Sequence, residues 1–369
     1  MNLIVSCLRG TIIAPKGRKL ITADYAAIEA RCVLWLAGAT GALKVFEPDE
    51  NGKPGDIYLD MASGIFGRKI TKANARTITT DGKTERDFGK VAILGLGYGM
   101  GWIKFLLTLR DYKIYLTRAE VKQMMGMARL QKYEEIVRRK LYPMMADFVG
   151  KKEAEKKFAA AQREAKVEVR RLQDGREDPK TIMHELALCK YTVEVYRDRY
   201  EEVPAMWKAQ EAAAIEALRT RRPVKCGKVT WFVQGRFLKC RLPSGRCLHY
   251  CDATLKMAKT SWGESRPSIR FMGKDQKTKQ WTRQGTYGGK LTENITQASA
   301  RDIMALAMIG LDDSILYELL ITVHDEAVAE VDDGREVPRE FEEIMTRMPQ
   351  AFHGCPITAE SKVYGRYRK

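Results

Sequence analysis

Three groups of residues have types and spacings that bear on chemistry: Asp24, the series Arg86, Lys90, Leu94 and Tyr98, and the tripeptide His324-Asp325-Glu326. Asp24 stands where a strand-like run gives way to a helical one, and taken alone it reads as an N-terminal helix cap. The tripeptide is the polar step between two alternating β-branched runs, ELLITV and AVAEV, and acidic residues are common in such turns. Arg86, Lys90, Leu94 and Tyr98 are spaced by four, which sets two cations and an aromatic along one side of a helix. A merely solvated basic face has the same look. Carboxylates supply oxygen ligands to hard cations, and fixed cations oppose charge building on a phosphate. Separately, none of the three groups decides a function.

The elements that must position them are legible in outline. Residues 19–25 read as a strand and 26–37 as a helix ended by Gly38. A short helix is expected from Asp56 to Phe66, and a longer one from Thr84 to Tyr98, weakened by Gly89, Gly95 and Gly97. Those glycines permit close packing or ease motion, with packing the favoured reading. From about 104 to 220, helix formers rich in Lys, Arg and Glu dominate, and 151–173 has the composition of a solvated helix. After Pro223 the pattern changes to strands: VTWFV, RFLKCRLP, the turn SGR, CLHYC, then a hairpin around SIRFMG and QWTRQGTY. Leu291 to Ile309 is helical, 318–331 is written as a hairpin, and a helix over 337–348 precedes the basic tail YGRYRK. This is an α+β chain.

At 369 residues the chain can bury a substantial core. Its 64 Lys plus Arg against 47 Asp plus Glu leave a net charge of +17, which favours a polyanionic partner. No run is long and apolar enough to span a bilayer, and there is no signal-peptide pattern, so a cytoplasmic protein without membrane contact is expected. Cys226, Cys240, Cys247 and Cys251, with His249, crowd one stretch at spacings that match no common zinc pattern; reduced thiols are expected there. The run Gly95 to Gly101 is not a dinucleotide loop, because it ends a helical pattern instead of joining a strand to a helix.

Joined in chain order, the three groups acquire a meaning that none has alone. Asp24-Tyr25-Ala26-Ala27-Ile28-Glu29-Ala30-Arg31, then Arg86 through Lys90 to Tyr98-Gly99, then Val323-His324-Asp325-Glu326, resemble motifs A, B and C of family A (DNA polymerase I type) DNA polymerases. The leading segment NLIVSCLRGTIIAPKGRKLITADY, and GDIYLDMASGIFG, RLPSGRCLHYCDATL and TYGGKLTENITQASARDI, resemble the phage branch of that family. Together these cover most of the chain; the helical stretch from about 104 to 190 is not covered and looks like an enlarged fingers insertion.

The resemblance implies a right-hand polymerase palm, an antiparallel sheet with helices, and largely helical fingers. Residues 1–32 and 281–369 would form the palm and 33–280 the fingers, with β-hairpins at about 224–285. It implies template-directed addition of dNMPs to a primer 3′-hydroxyl through two Mg²⁺ ions, with Mn²⁺ as a substitute. Asp24, Asp325 and the Tyr25 backbone carbonyl hold the metals by that likeness. Arg86 and Lys90 face the triphosphate, and Lys90 gives a proton to the departing pyrophosphate. Tyr98 packs at the templating pair, Leu94 lies near the incoming sugar, and Glu29 blocks a ribose 2′-hydroxyl. Gln297, His324, Glu326 and Arg31 are assigned to the primer–template.

The chain also departs from the family pattern. Leu94 stands where an aromatic residue is usual, Tyr58 replaces a frequent histidine, and Ala26-Ala27 replace a polar pair. The motif A aspartate comes early, so no thumb and no 3′–5′ exonuclease domain is expected within these residues. A separate chain carrying them is an expected partner, beside primer–template DNA and dNTPs. The alternative is a polymerase-fold binding or assembly subunit that turns over only with that partner.

Overall fold

The computed structural model describes residues 9–49, 52, 54–79, 82–141, 166, 168–172, 174–259, 265–275 and 278–367. The solvated helix expected over 151–173 therefore lies mostly outside the described residues. In chain order the main elements are β1 (Arg18–Tyr25), α1 (Ile28–Ala37), α2 (Ile57–Phe66), α3 (Glu85–Leu96), α4 (Trp102–Asp111), α5 (Arg118–Met125), α6 (Met127–Leu141), α7 (Met183–Arg199) and α8 (Glu202–Thr220). Then follow β2 (Val224–Cys226), β3 (Val229–Gln234), β4 (Phe237–Arg241), β5 (Cys247–Lys259), β6 (Ser265–Lys274), β7 (Trp281–Thr286), α9 (Gly288–Asp312), β8 (Glu318–Val323), β9 (Glu326–Asp332), α10 (Pro338–Thr346) and β10 (Ala359–Tyr364). The mixture is α+β, as expected. Among the described residues no helix is long and apolar enough to cross a membrane.

The chain divides into two compact units. The first comprises Met1–Leu36, Arg241–Leu248 and Ile295–Lys369. Its sheet has the order β10-β1-β9-β8 and is antiparallel throughout. Strand β1 is central, and Leu20, Ile21, Thr22 and Ala23 form a continuous buried run, the signature of a strand covered on both faces. Helix α10 packs against β1 and β10 and buries Phe341 and Met345. The β8–β9 hairpin is tighter than the sequence pattern implied. Val323 pairs with Glu326, so the turn is His324-Asp325 alone and Glu326 opens β9. Two-residue hairpin turns need a positive φ, and His324 supplies it at 56°. Strand β10 was not anticipated: AESKVY carries Glu360 and Lys362 exposed at a sheet edge, which hides the alternation.

The second unit comprises Ala37–Cys240 and His249–Asn294. Helix α7 is its hub, touching α2 to α6. Arg110 of α4 grips Glu185 of α7 with two hydrogen bonds of 2.7 and 2.6 Å and reaches Glu177 at 2.9 Å. Helices α2 and α3 approach closely at Gly89, where a Cβ would lie 2.1 Å from the Tyr58 carbonyl oxygen. The packing reading of that glycine holds. Strands β2 to β7 form a six-stranded sheet in sequence order. Trp231 is fully buried between that sheet and α8, and its Nε1 donates to Gln210 Oε1 at 2.7 Å. Strand β5 runs well past CLHYC, with a bulge between Cys251 and Thr254, before pairing with β6.

Candidate active site

The first unit gathers carboxylates at the end of β1. Asp24 lies opposite Glu326 of β9 on one side and Glu360 of β10 on the other. Directly opposed residues share a face, with Cβ atoms about 4.5–5.5 Å apart, so three acidic positions form a row across three strands. One step further, the Tyr25 N–H donates to the Asp325 carbonyl at 3.1 Å and the Ala26 N–H donates to the Thr358 carbonyl at 3.0 Å. The backbone of Asp325 thus lies opposite Tyr25, one residue beyond Asp24, and both aspartates are half-buried. Asp24 sits within the strand; helix α1 begins at Ile28, so the capping position is Ala27. Like charges set side by side disfavour one another and favour a cation between them. An all-oxygen donor set suits a hard divalent ion such as Mg²⁺. Among the described residues no three or more His, Cys, Asp or Glu side chains converge as a metal cluster, and the expected set needs only two carboxylates and a backbone carbonyl.

Glu326 is 3% exposed and held from behind. It accepts a 2.6 Å hydrogen bond from the Tyr367 hydroxyl, and the Arg9 guanidinium lies 3.9 Å away. Arg9 also sits over the Tyr367 ring, 5.3 Å from its centroid. Burial, and then the Glu326 carboxylate, push the Tyr367 phenol up to about 12. Glu326 was expected at the primer–template; its carboxylate is instead buried among Arg9 and Tyr367, because it opens a strand and does not stand in the turn. Sequence reasoning missed Arg9, Glu360 and Tyr367, and the only signal for Tyr367 was the basic tail around it.

Arg31 also departs from expectation. It is 2% exposed, and its guanidinium donates to the carbonyls of Ala26 at 2.6 Å and Pro356 at 2.5 Å. The residue clasps the motif A turn to the segment before β10, in the interior and not on a surface open to DNA. The Tyr25 side chain is buried with its hydroxyl donating to the Met345 carbonyl at 2.6 Å, and burial pushes its pKa up. Glu29 is half-buried in the first turn of α1, while His324 and Gln297 are exposed.

The basic series lies in the second unit. Helix α3 starts at a capping box in which Thr84 and Asp87 serve each other's backbone N–H groups. Arg86 is half-buried, and its Nε donates to Asp56 Oδ2 at 2.7 Å. The same Asp56 caps α2 by accepting from the N–H groups of Tyr58 and Leu59. The Arg86 guanidinium and the Lys90 ammonium lie 5.2 and 5.9 Å from the Tyr58 ring centroid. Lys90 is exposed and Leu94 half-buried. Helix α3 ends at Leu96, so Tyr98 lies in the turn beyond it and not on the same helix face. The turn is held by distant residues: Trp207 Nε1 donates to the Gly97 carbonyl at 2.8 Å, and the Tyr98 carbonyl rests against Gly289, where a Cβ would be 2.2 Å away.

The chain is 30% identical over 363 residues to the DNA polymerase of Bacillus phage SP02, across 98% of this chain and 43% of the phage protein. This chain is related to a phage DNA polymerase. Likeness over nearly all of the chain bears out the resemblance to phage polymerases that the motifs carried. The chain spans less than half the length of the relative it matches. A solved structure, the POL domain of Pol1 from M. smegmatis in complex with DNA primer-template and dNTP, is similar with a TM-score of 0.46 and 18% identity, over 98% of this chain and 42% of that chain. No family model matches the chain.

Proposed function

We propose that this chain is the catalytic part of a template-directed DNA polymerase of family A, with the first unit as palm and the second as fingers. The observation that carries the reading is the end of β1, where Asp24 opposes Glu326 and the next residue, Tyr25, bonds the Asp325 carbonyl, in a chain related to a phage polymerase. Asp24 and Asp325, with the Tyr25 carbonyl, would hold the metals. Bound there, two Mg²⁺ ions, or Mn²⁺ in their place, would activate the primer 3′-hydroxyl and stabilise the leaving pyrophosphate.

The remaining roles belong to the chain's own side chains. Arg86 and Lys90 neutralise the triphosphate, with Arg86 steadied by Asp56 and the more exposed Lys90 left to pass a proton to pyrophosphate. Glu29 closes the sugar site to a 2′-hydroxyl, Leu94 borders the sugar, and Tyr98 packs at the templating pair. Exposed His324 and Gln297 are suited to the primer–template.

Mg²⁺-dependent extension of a labelled primer tests the reading. Extension by the parent, lost in Asp24→Ala and Asp325→Ala, supports it; equal extension by those variants would falsify the metal assignment. The second reading, a polymerase-fold subunit that turns over only with a partner supplying a thumb or exonuclease, draws on the 43% coverage of the phage protein. Extension that appears only when such a chain is added would favour it.

A further inference from the structure

The second unit carries a basic sheet face that the roles above do not use. In β5–β7, register sets the side chains of alternate residues on one face. Thr254 pairs with Arg270, Lys256 with Ser268 and Ala258 with Arg266; across the next ladder Arg270 pairs with Gly285, Met272 with Arg283 and Lys274 with Trp281. Lys256, Arg266, Arg270, Lys274, Arg283 and Trp281 therefore share one face. The opposite face holds fully buried Ile269, and Phe271 packs there edge-on against Tyr250, itself beside Trp231 on the side covered by α8. The basic face points away from that core.

Its details favour a ligand over a merely solvated surface. Strands β6 and β7 contain no acidic residue, and Asp252 in the β5 bulge is paired with Arg236. Trp281 is 62% exposed on the edge strand beside Lys274, an open indole next to a cation. The Arg270 guanidinium lies over Gly285, 3.7 to 3.9 Å from where a Cβ would be, leaving a flat platform. Arg283 is aimed by hydrogen bonds from Nη1 to the Asp252 carbonyl at 3.0 Å and the Thr254 hydroxyl at 3.2 Å. Successive cations along β6 are four residues apart, about 13 Å.

We infer that this face of β5–β7 binds single-stranded nucleic acid, its cations tracking the phosphates and Trp281 stacking on a base. Aromatic stacking inside a cationic, sequence-indifferent track is what an unpaired strand offers a sheet; a duplex presents the same phosphates but hides its bases. The inference draws on the polymerase reading only for the partner's relevance and needs no turnover.

The test is fluorescence anisotropy with a labelled 20-nucleotide oligothymidylate, the full chain and no nucleotides. Lys274→Ala/Trp281→Ala, both at exposed positions, is expected to weaken binding about tenfold and to lower the salt slope by about 0.7 for the one charge removed. Arg138→Ala/Arg139→Ala, which removes two exposed charges elsewhere, should leave the affinity within about twofold. Unchanged binding by the sheet variant, an equal loss in the control, or preference for a duplex or for phosphatidylserine vesicles over the oligonucleotide overturns the proposal. Circular dichroism melting verifies that the sheet variant is folded. Should primer extension fail while oligonucleotide binding falls as expected, this inference stands and the polymerase reading does not.

Discussion

The backbone N–H of Tyr25 donates to the carbonyl of Asp325 at 3.1 Å, tying the end of β1 to the β8–β9 turn. That one bond joins segments about 300 residues apart and brings the backbone of Asp325 to the residue that follows Asp24. Removing either carboxylate should lower primer extension by roughly 10³-fold or more, if these groups hold the metals. The melting temperature should stay level or rise, because a like-charge neighbour is removed. Extension rates and melting curves of Asp24→Ala and Asp325→Ala give the answer.

Tyr367 supports the same corner from the C-terminal segment. Tyr367→Phe deletes the 2.6 Å hydrogen bond to Glu326 and keeps Arg9 3.9 Å from the same carboxylate. A hydrogen bond to a charged group contributes about 1.5–3 kcal/mol. The variant should therefore melt earlier and extend primers roughly tenfold more slowly, with the dNTP KM unchanged. A changed KM with intact kcat would place Glu326 in nucleotide binding instead.

Asp56 serves two elements at once, capping α2 and holding Arg86. Asp56→Ala should cost about 1 kcal/mol through the lost cap and also raise the dNTP KM, since Arg86 loses its anchor. Arg86→Ala should raise the KM without the stability loss. A double variant no worse in KM than Arg86→Ala alone would show that Asp56 acts through Arg86.

Arg110 and Glu185 are a largely buried pair, and the Leu116 N–H donates to the same carboxylate at 2.8 Å. Burial lowers the Arg110 pKa, yet the hydrogen bonds and charges of Glu185 and Glu177 outweigh it and raise it overall. Glu185→Ala takes two charge-assisted hydrogen bonds from a largely buried guanidinium, leaving it Glu177, and should destabilise the second unit by about 1.5–3 kcal/mol, measurable by urea unfolding. A loss under 1 kcal/mol would mean that water reaches the site.

Burial raises the pKa of Tyr25, Tyr196, Tyr200 and Tyr250 above the ordinary value of 10.0. A raised folded-state value means that the native state holds the proton more tightly than the unfolded chain. The associated stability is complete below about pH 10 and is lost as pH rises through the folded values. Melting temperatures should therefore stay nearly level from pH 7 to 9 and fall beyond 10. A fall centred near pH 8 would point to a different group.

Local pattern determined much on its own. Runs of β-forming residues wrote β1, β3, β6, β7, β8 and β9, while the helix ends expected at Gly38, Asp56 and Thr84 lie within a residue or two of the observed ones. The order of the motifs was enough to point to a polymerase relative, because each motif is a contiguous run that needs no partner to be read. Tertiary structure decided which acids meet. Glu360 joins the row beside Asp24 only because β10 returns to pair with β1, and a polar edge strand leaves almost no hydrophobic signal. Whether Arg31 and Glu326 face solvent or the interior was likewise set by strand pairing, since the same charged residue is a surface group or a buried clasp depending on what folds over it. Tyr98 left its expected helix face in a turn that ends in Gly99 at φ 81° and that Trp207 and Gly289, far along the chain, contact.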